Sequence, residues 1–449
     1  MLIKIKMDSF MSIEEKALEG PIKRSFNSVF DGINSFTEAL DLFKKYQKIH
    51  FDSIRESVSE IHILGMSTPI KLADVYSPTR ISTTIHRRLY EQDWRDINSK
   101  EKVKKLNSSG NTTRATTFVE KNRKCLFLGA PGAGKTTFSK YFALSNIDKT
   151  LHKKSGLSKR YFPFYVSLPA VADHENGIGI DEYIWRKIEK SAGEHSAAYV
   201  KEKLRSEKSI VLLDSLDEVP QTKKSAILQN INDFCERYTQ VKVVVTCRVS
   251  DYEGGLNSFY EVEIARLSEV AIKKIVKAWF FGQPRKADLL LNHLKADHDV
   301  YSLTETPLLL SLVCIQFKHD LNIPNRKTEL YRRCIDALLR TWDTSRDFRR
   351  DTSFSTLSDD RKEKIFEHIA YEFINDDFSY LFNREDVNSK ISEKLERYDG
   401  INESDAASVL DEIESHHGII ERYSVEAYFF SHPSFQEYFA AKAIISRRQ

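Results

Sequence analysis

Gly129-Ala130-Pro131-Gly132-Ala133-Gly134-Lys135-Thr136-Thr137 is the stretch whose reading decides the fold. It fits the phosphate-loop pattern G-x-x-x-x-G-K-[ST] at every constrained position. Cys125-Leu126-Phe127-Leu128 before it reads as a buried strand, and Phe138 to Ala143 after it reads as a helix. A glycine-rich loop opening a helix aims several backbone N–H groups at one point, and the helix dipole adds positive charge there. Lys135 is then placed to reach the β- and γ-phosphates of a nucleoside triphosphate, and the Thr136 hydroxyl to join the shell of a Mg²⁺ ion.

Working outward, short apolar strands alternate with helices. Tyr161 to Leu168, Ser209 to Leu213 and Val241 to Thr246 are β-branched or aromatic nearly throughout, as parallel strands covered on both faces should be. Ile180–Ser191, Ala198–Glu207 and Lys223–Tyr238 read as the helices between them. The pattern predicts a doubly wound α/β domain with its ligand at the strand C-termini.

Beyond Ile264 the periodicity is helical. Ser268 is placed as an N-cap, with Leu267 able to staple onto Ile272, and Thr306-Pro307 opens a further helix that is apolar almost all round. Another strong helix starts near Thr328. Towards the N-terminus, residues 34–61 carry one apolar stripe through Phe36, Leu40, Phe43, Tyr46, Ile54, Val58 and Ile61, interrupted by His50. It reads either as a small bundle packed on the next domain or as a separate module for partner contact. Leu72 to Ile81 reads as extended, held open by Pro78, and residues 99–124 as a polar surface loop.

The second chemical signal is Ile210-Val211-Leu212-Leu213-Asp214-Ser215-Leu216-Asp217-Glu218. An apolar strand ending in aspartate, set beside the strand of the phosphate loop, is expected to bring Asp214 to the metal. Asp217 and Glu218 follow where a carboxylate can orient or deprotonate an attacking water. Arg248 ends the fourth strand after Thr246, where a guanidinium can touch the γ-phosphate.

At 449 residues the chain exceeds one ordinary core, and 41% hydrophobic with 11% aromatic residues argues for folded domains. A formal charge of +3 predicts no general attraction to nucleic acid or to an anionic membrane. The cysteines at 125, 235, 247, 314 and 334 form no C-x-x-C pair and read as buried thiols of a reducing compartment. No apolar run reaches the length of a membrane span, and no cleavage site follows Met1 to Met7, so a cytoplasmic location is expected. The adjacent pair His416-His417 points in two directions and makes a poor chelate.

Leu212 to Pro220 resembles the acidic Walker B segment of NACHT domains, the nucleotide switches of NOD-like receptors. Thr304-Glu305-Thr306-Pro307-Leu308-Leu309-Leu310 is similar to the proline motif of their helical domain, which packs on the base, and so implies that Pro307 contacts the nucleotide. Pro324 to Tyr331 resembles the start of their winged-helix domain, and Phe430 to Ala441 their closing signature. Tyr76 to Ile81 resembles a stretch that precedes many such domains. The resemblance spans about residues 72–445 in the family's order. After an N-terminal region that reads as helical (1–70), it implies a NACHT nucleotide-binding domain (71–264), a helical domain (265–323) and a winged-helix domain (324–449).

It further implies a STAND-type ATPase with slow or regulated turnover, held closed by ADP and opened by a trigger, ATP exchange and homo-oligomerisation. His432 is then expected to contact the β-phosphate of ADP as a latch between domains, with capping or packing of the last helix as the alternative. The chain ends soon after the closing signature and shows no recognisable effector module, a compact layout most like bacterial NACHT proteins of antiphage defence. The trigger is then a phage component or another unknown signal. A constitutive P-loop ATPase or remodelling enzyme, and a non-switching nucleotide-binding module, stay open as rivals.

Overall fold

The computed structural model describes residues 36–61, 69–83, 112–130, 132–174, 177–192, 196–249, 251–320, 327–342, 357–377, 380–395, 406–413, 419–422 and 427–447. Expectations for residues 1–35, Pro131, the His416-His417 pair and residues 324–326 lie outside these, as do the side chains of Phe36 and Leu40.

A 23-residue helix, α1 (Phe36–Val58), leads into a hairpin of β1 (Glu60–Ile61) and β2 (Ile70–Lys71). A single helical turn, α2 (Leu72–Val75), and strand β3 (Arg80–Ser82) follow. The expectation of extended chain from Leu72 is thus corrected. The turn forms first, and the chain opens at Tyr76 (φ −60°, ψ 127°) because Pro78 disfavours helix in the residues leading up to it. The loop expected over 99–124 is likewise corrected at its end. Thr112–Arg114 is strand β4, paired with β3, and Ala115–Lys121 is helix α3, which buries Ala115 and Val119. A distant pairing partner decides β4, which local composition does not show.

Next come β5 (Lys124–Leu128), α4 (Lys135–Ile147), α5 (Lys149–Ser155), β6 (Phe162–Ser167) and α6 (Leu168–Ala172). They are followed by α7 (Ile180–Ala192), α8 (Ser196–Leu204), β7 (Ser209–Asp214), α9 (Gln221–Arg237), β8 (Lys242–Cys247) and β9 (Tyr260–Ile264). Seven strands form one sheet in the order β4-β3-β9-β5-β8-β7-β6. The run from β9 to β6 is parallel, and β3 and β4 join it antiparallel.

Period-two alternation splits each parallel strand between two cores. Leu126, Val211, Leu213, Val243 and Val245 face one side, and Phe127, Ile210, Leu212 and Val244 the other. Unbroken apolar strands are the consequence. Helix α1 reaches both cores, Phe43 and Tyr46 in the first and Ile54 and Val58 in the second, and so crosses the β6 edge of the sheet. His50 Nε2 lies 2.8 Å from the Pro163 carbonyl oxygen on that edge, and its ring stacks on Phe162. Proline is tolerated on an edge strand because its missing N–H breaks no ladder bond. Of the two readings of this helix, the structure shows it packed on the α/β sheet.

The C-terminal part holds α10 (Glu269–Trp279), α11 (Pro284–Ala296), α12 (His298–Leu303), α13 (Pro307–Asp320), α14 (Lys327–Trp342) and α15 (Asp359–Asp377). It continues with β10 (Phe382–Asn383), α16 (Arg384–Leu395), α17 (Ala406–Glu412), β11 (Ile420–Arg422), β12 (Ala427–Phe430) and α18 (Pro433–Arg447). The Ser268 hydroxyl accepts from the Ala271 N–H at 3.3 Å, the cap read from the sequence. Strands β10, β12 and β11 make a small antiparallel sheet, and one continuous apolar core runs from Ile272 through Phe317 and Phe366 to Phe439.

Candidate functional site

The phosphate loop links β5 to α4. Gly132 (φ 71°) and Gly134 (φ 93°) adopt positive φ, the region where a side chain is strained, so the glycines at these two positions have a steric reason. A Cβ on Gly132 would sit 2.5 Å from Leu308 Cβ, and one on Gly134 would lie 3.8 Å from Pro307 Cγ. The first turn of α13 therefore roofs the loop, and Gly132 is small because the Leu308 side chain comes close.

Lys135 Nζ donates to the carbonyl oxygens of Gly129 (2.8 Å) and Ala130 (3.1 Å), which folds the ammonium over the loop. Burial lowers its proton affinity, Asp217 opposes that, and Arg248 adds to it. These charges therefore lie within electrostatic reach of one another. Thr136 and Thr137 on α4 line a cleft of about 670 Å³, together with Gly132, Ala133 and Gly134. Its other walls come from Val75 to Arg80, from Ile264 to Ser268, and from Pro307, Leu308 and Ser311. A volume of this size falls within the usual range of small-molecule pockets.

Tyr76 backs the cleft by stacking on Tyr141 of α4, with ring centroids 3.6 Å apart, and its hydroxyl donates to Thr79 Oγ1 at 3.0 Å. Lys274 of α10 bonds the Tyr76 carbonyl oxygen, and Leu267 N–H donates to Glu305 O at 2.7 Å. Three separate stretches are thereby tied around one space. Of these walls the sequence reading placed only Pro307 at the ligand. Lys140, Ile264 and Ile275 carry no motif that marks them, and Tyr76 and Leu308 are signalled only by the resemblances at Tyr76 to Ile81 and Thr304 to Leu310.

Asp214 stands at the end of β7, but β7 is not beside β5. Strand β8 lies between them, which corrects the expected adjacency. Chain order does not fix sheet order, because crossovers can leave a gap that a later strand fills. The intervening strand supplies Thr246, whose hydroxyl donates to Asp214 Oδ1 at 2.7 Å and accepts the Ser215 N–H at 2.9 Å. Tyr165 OH on β6 donates to Asp214 Oδ2 at 3.0 Å, and burial, reinforced by Asp214, raises the phenol's proton affinity. Three neighbouring strands thus orient one buried carboxylate.

Ser215 is left-handed (φ 64°, ψ 53°) and turns the chain into a short 3₁₀ segment, Leu216–Glu218. Asp217, expected to orient an attacking water, is paired with Arg248 in this structure. Asp217 Oδ2 is 2.9 Å from Arg248 Nε, and its Oδ1 accepts the Arg248 backbone N–H at 3.2 Å. Both side chains are almost wholly buried, at 5% and 7% exposure. Glu218 is the exposed member of the acidic run. Arg248, expected at the γ-phosphate, is held by Asp217.

His432 precedes α18. Its Nδ1 accepts the Ser434 N–H at 3.2 Å, and its Nε2 lies 3.0 Å from Ser302 Oγ on α12. It therefore caps the last helix and also ties that helix to α12, and it is not among the residues that line the cleft.

A seven-stranded, mostly parallel sheet with a phosphate loop, a carboxylate-ended strand and a polar strand between them defines a P-loop NTPase. Residues 123–283 match the NACHT domain, and residues 327–444 match the winged helix-turn-helix domain C-terminal to NACHT. The chain is a NACHT-domain P-loop NTPase followed by a winged-helix domain. Among solved structures it is similar to Orc1 of Aeropyrum pernix in complex with DNA, at 13% identity over 83% of this chain and 100% of that one, TM-score 0.33. A RuvB variant of Thermotoga maritima matches at 12% identity over 79% and 98%, TM-score 0.33. AMPPCP-bound DnaA of Aquifex aeolicus matches at 12% over 67% and 83%, TM-score 0.25. Scores this low carry no argument about mechanism. No match was found among curated proteins.

Proposed function

We propose that the chain is an ATP/ADP-dependent signalling switch, closed with ADP and opening to a homo-oligomer with ATP, in bacterial antiphage defence. One observation carries the switch reading: the first turn of α13 roofs the phosphate loop at Gly132. Exchange of nucleotide and movement of the helical domain are then linked, because whatever changes at the loop changes the energy of its roof. The antiphage role rests on the family resemblance alone.

In this reading Lys135 and the backbone of Gly129 to Gly134 hold the phosphates, and the apolar walls at Val75, Ile264 and Leu308 take the nucleoside. Thr136 and Asp214 would hold Mg²⁺, which supplies charge compensation to the phosphates when bound. The donor set fits that ion. One hydroxyl and one oriented carboxylate suit a cation that keeps waters and phosphate oxygens as its other ligands. Among the described residues no group of three or more His, Cys, Asp or Glu gathers as an all-protein cage. Glu218, the exposed carboxylate after β7, orients the attacking water, and His432 holds α18 to α12 in the closed form. Among the described residues no helix is long and apolar enough to cross a membrane.

The test is particle mass by sedimentation, with ADP and with Mg-ATP, on the parent and on Glu218→Gln. A single chain with ADP and a larger assembly of Glu218→Gln with ATP is expected. Equal mass in both states, or rapid steady ATP turnover by the parent without any trigger, overturns the switch and favours a constitutive ATPase.

A further inference from the structure

Asp217 and Arg248, read separately from the sequence, form one buried pair. They follow adjacent strands, β7 and β8, and meet where both strands end. Each oxygen of Asp217 is used by the arginine, one by Nε and one by the backbone N–H. A carboxylate so engaged is anchored to the arginine at both oxygens, and the guanidinium has its Nε taken. The neighbouring Lys135 ammonium places a second cation within reach of the same carboxylate.

We propose that Asp217 is a holder for Arg248, withholding the guanidinium from a diphosphate and releasing it to the terminal phosphate of a triphosphate. The inference rests on the reading of the cleft as a nucleotide site. A γ-phosphate brings additional negative charge and a pair of oxygens that a planar guanidinium can grip with two parallel N–H bonds. It competes with Asp217 for one arginine, and a diphosphate lacks that competitor. Asp217 is on this account a positioning residue. Its charge weakens ATP binding relative to ADP, and its removal should strengthen ATP selectively. A water-activating carboxylate would behave differently: its loss slows hydrolysis and leaves the ATP-to-ADP affinity ratio in place.

Asp217→Asn keeps an oxygen for the Arg248 N–H and removes the charge, so it is the variant of choice. Titration calorimetry of Mg-ATP and of ADP on the full chain gives the ratio directly. The holder predicts a rise in ATP preference of about tenfold or more, the order that one charge-assisted bond commands. Adding Arg248→Gln to Asp217→Asn should abolish the gain. If Asp217→Asn fails to fold, the single variant Arg248→Gln serves instead. It leaves a buried carboxylate facing the terminal phosphate and should lower ATP preference by at least about tenfold. An unchanged ratio in whichever folded variant is measured overturns the holder. A parent chain that binds neither nucleotide overturns the site reading itself, a separate outcome.

Discussion

Gly132→Ala should uncouple the phosphate loop from its roof. Two costs follow from its geometry. At φ 71° a Cβ is placed in left-handed backbone, which costs about 1–2 kcal/mol. The same Cβ would come within 2.5 Å of Leu308 Cβ, a separation that real atoms do not tolerate, so the loop or α13 must move. Overpacking of this kind costs about 1–3 kcal/mol, and the two together come to roughly 2–5 kcal/mol. The assay is a double-mutant cycle in denaturant unfolding with Leu308→Gly, which removes the opposing Cβ. The strain at φ stays in the double variant and the clash disappears, so a favourable coupling of about 1–3 kcal/mol is expected. Gly134→Ala is the internal control. Its φ is 93°, but the nearest foreign atom, Pro307 Cγ, is 3.8 Å away, so its coupling to Leu308→Gly should vanish. Additivity of Gly132→Ala with Leu308→Gly to within about 0.5 kcal/mol would refute the contact.

Thr246→Val leaves Asp214 Oδ1 and the Ser215 N–H without a buried partner; stability should fall by about 1–3 kcal/mol and the Mg²⁺ requirement of ATP binding should rise, both read from melting curves across a Mg²⁺ series. His432→Ala breaks the tie to Ser302 and the cap on α18; a stopped-flow chase should show faster ADP release, and an unchanged off-rate in a well-folded variant sinks the latch. Burial pushes the His50 imidazole from its ordinary 6.5 down to about 4, against the Pro163 carbonyl contact and aided by Lys187 and Lys203. The fold thus favours neutral His50, whose stabilisation is whole above pH 6.5 and is lost as pH falls towards 4, up to roughly 3 kcal/mol; His50→Gln should flatten that stretch of the stability–pH curve, and an unaltered slope contradicts the burial.

Much of the α/β architecture was legible because its signals are local. The strand 124–128, the loop after it and the helix from Lys135 follow from a motif and an apolar run, and so does the strand that ends in Asp214. What the sequence did not show depends on distant partners. Strand β8 slots between β5 and β7, so Thr246 rather than a P-loop neighbour holds Asp214. Tyr165 reads as one more aromatic of a buried strand, and its hydroxyl acquires a purpose only when β6 lies beside β7. Strands as short as β3 and β4 carry no period of their own and exist through pairing. Asp217 and Glu218 look alike in an acidic run; the left-handed turn at Ser215 sends one inward to Arg248 and leaves the other exposed.

The nucleotide carried by the purified, untreated chain tests the switch most directly. Protein denatured in acid and resolved by anion-exchange chromatography should release ADP in an amount equivalent to the chain, and the Lys135→Ala variant should release none. A folded parent chain that carries no nucleotide, or a Lys135→Ala variant that retains ADP at the parent level, would contradict the account.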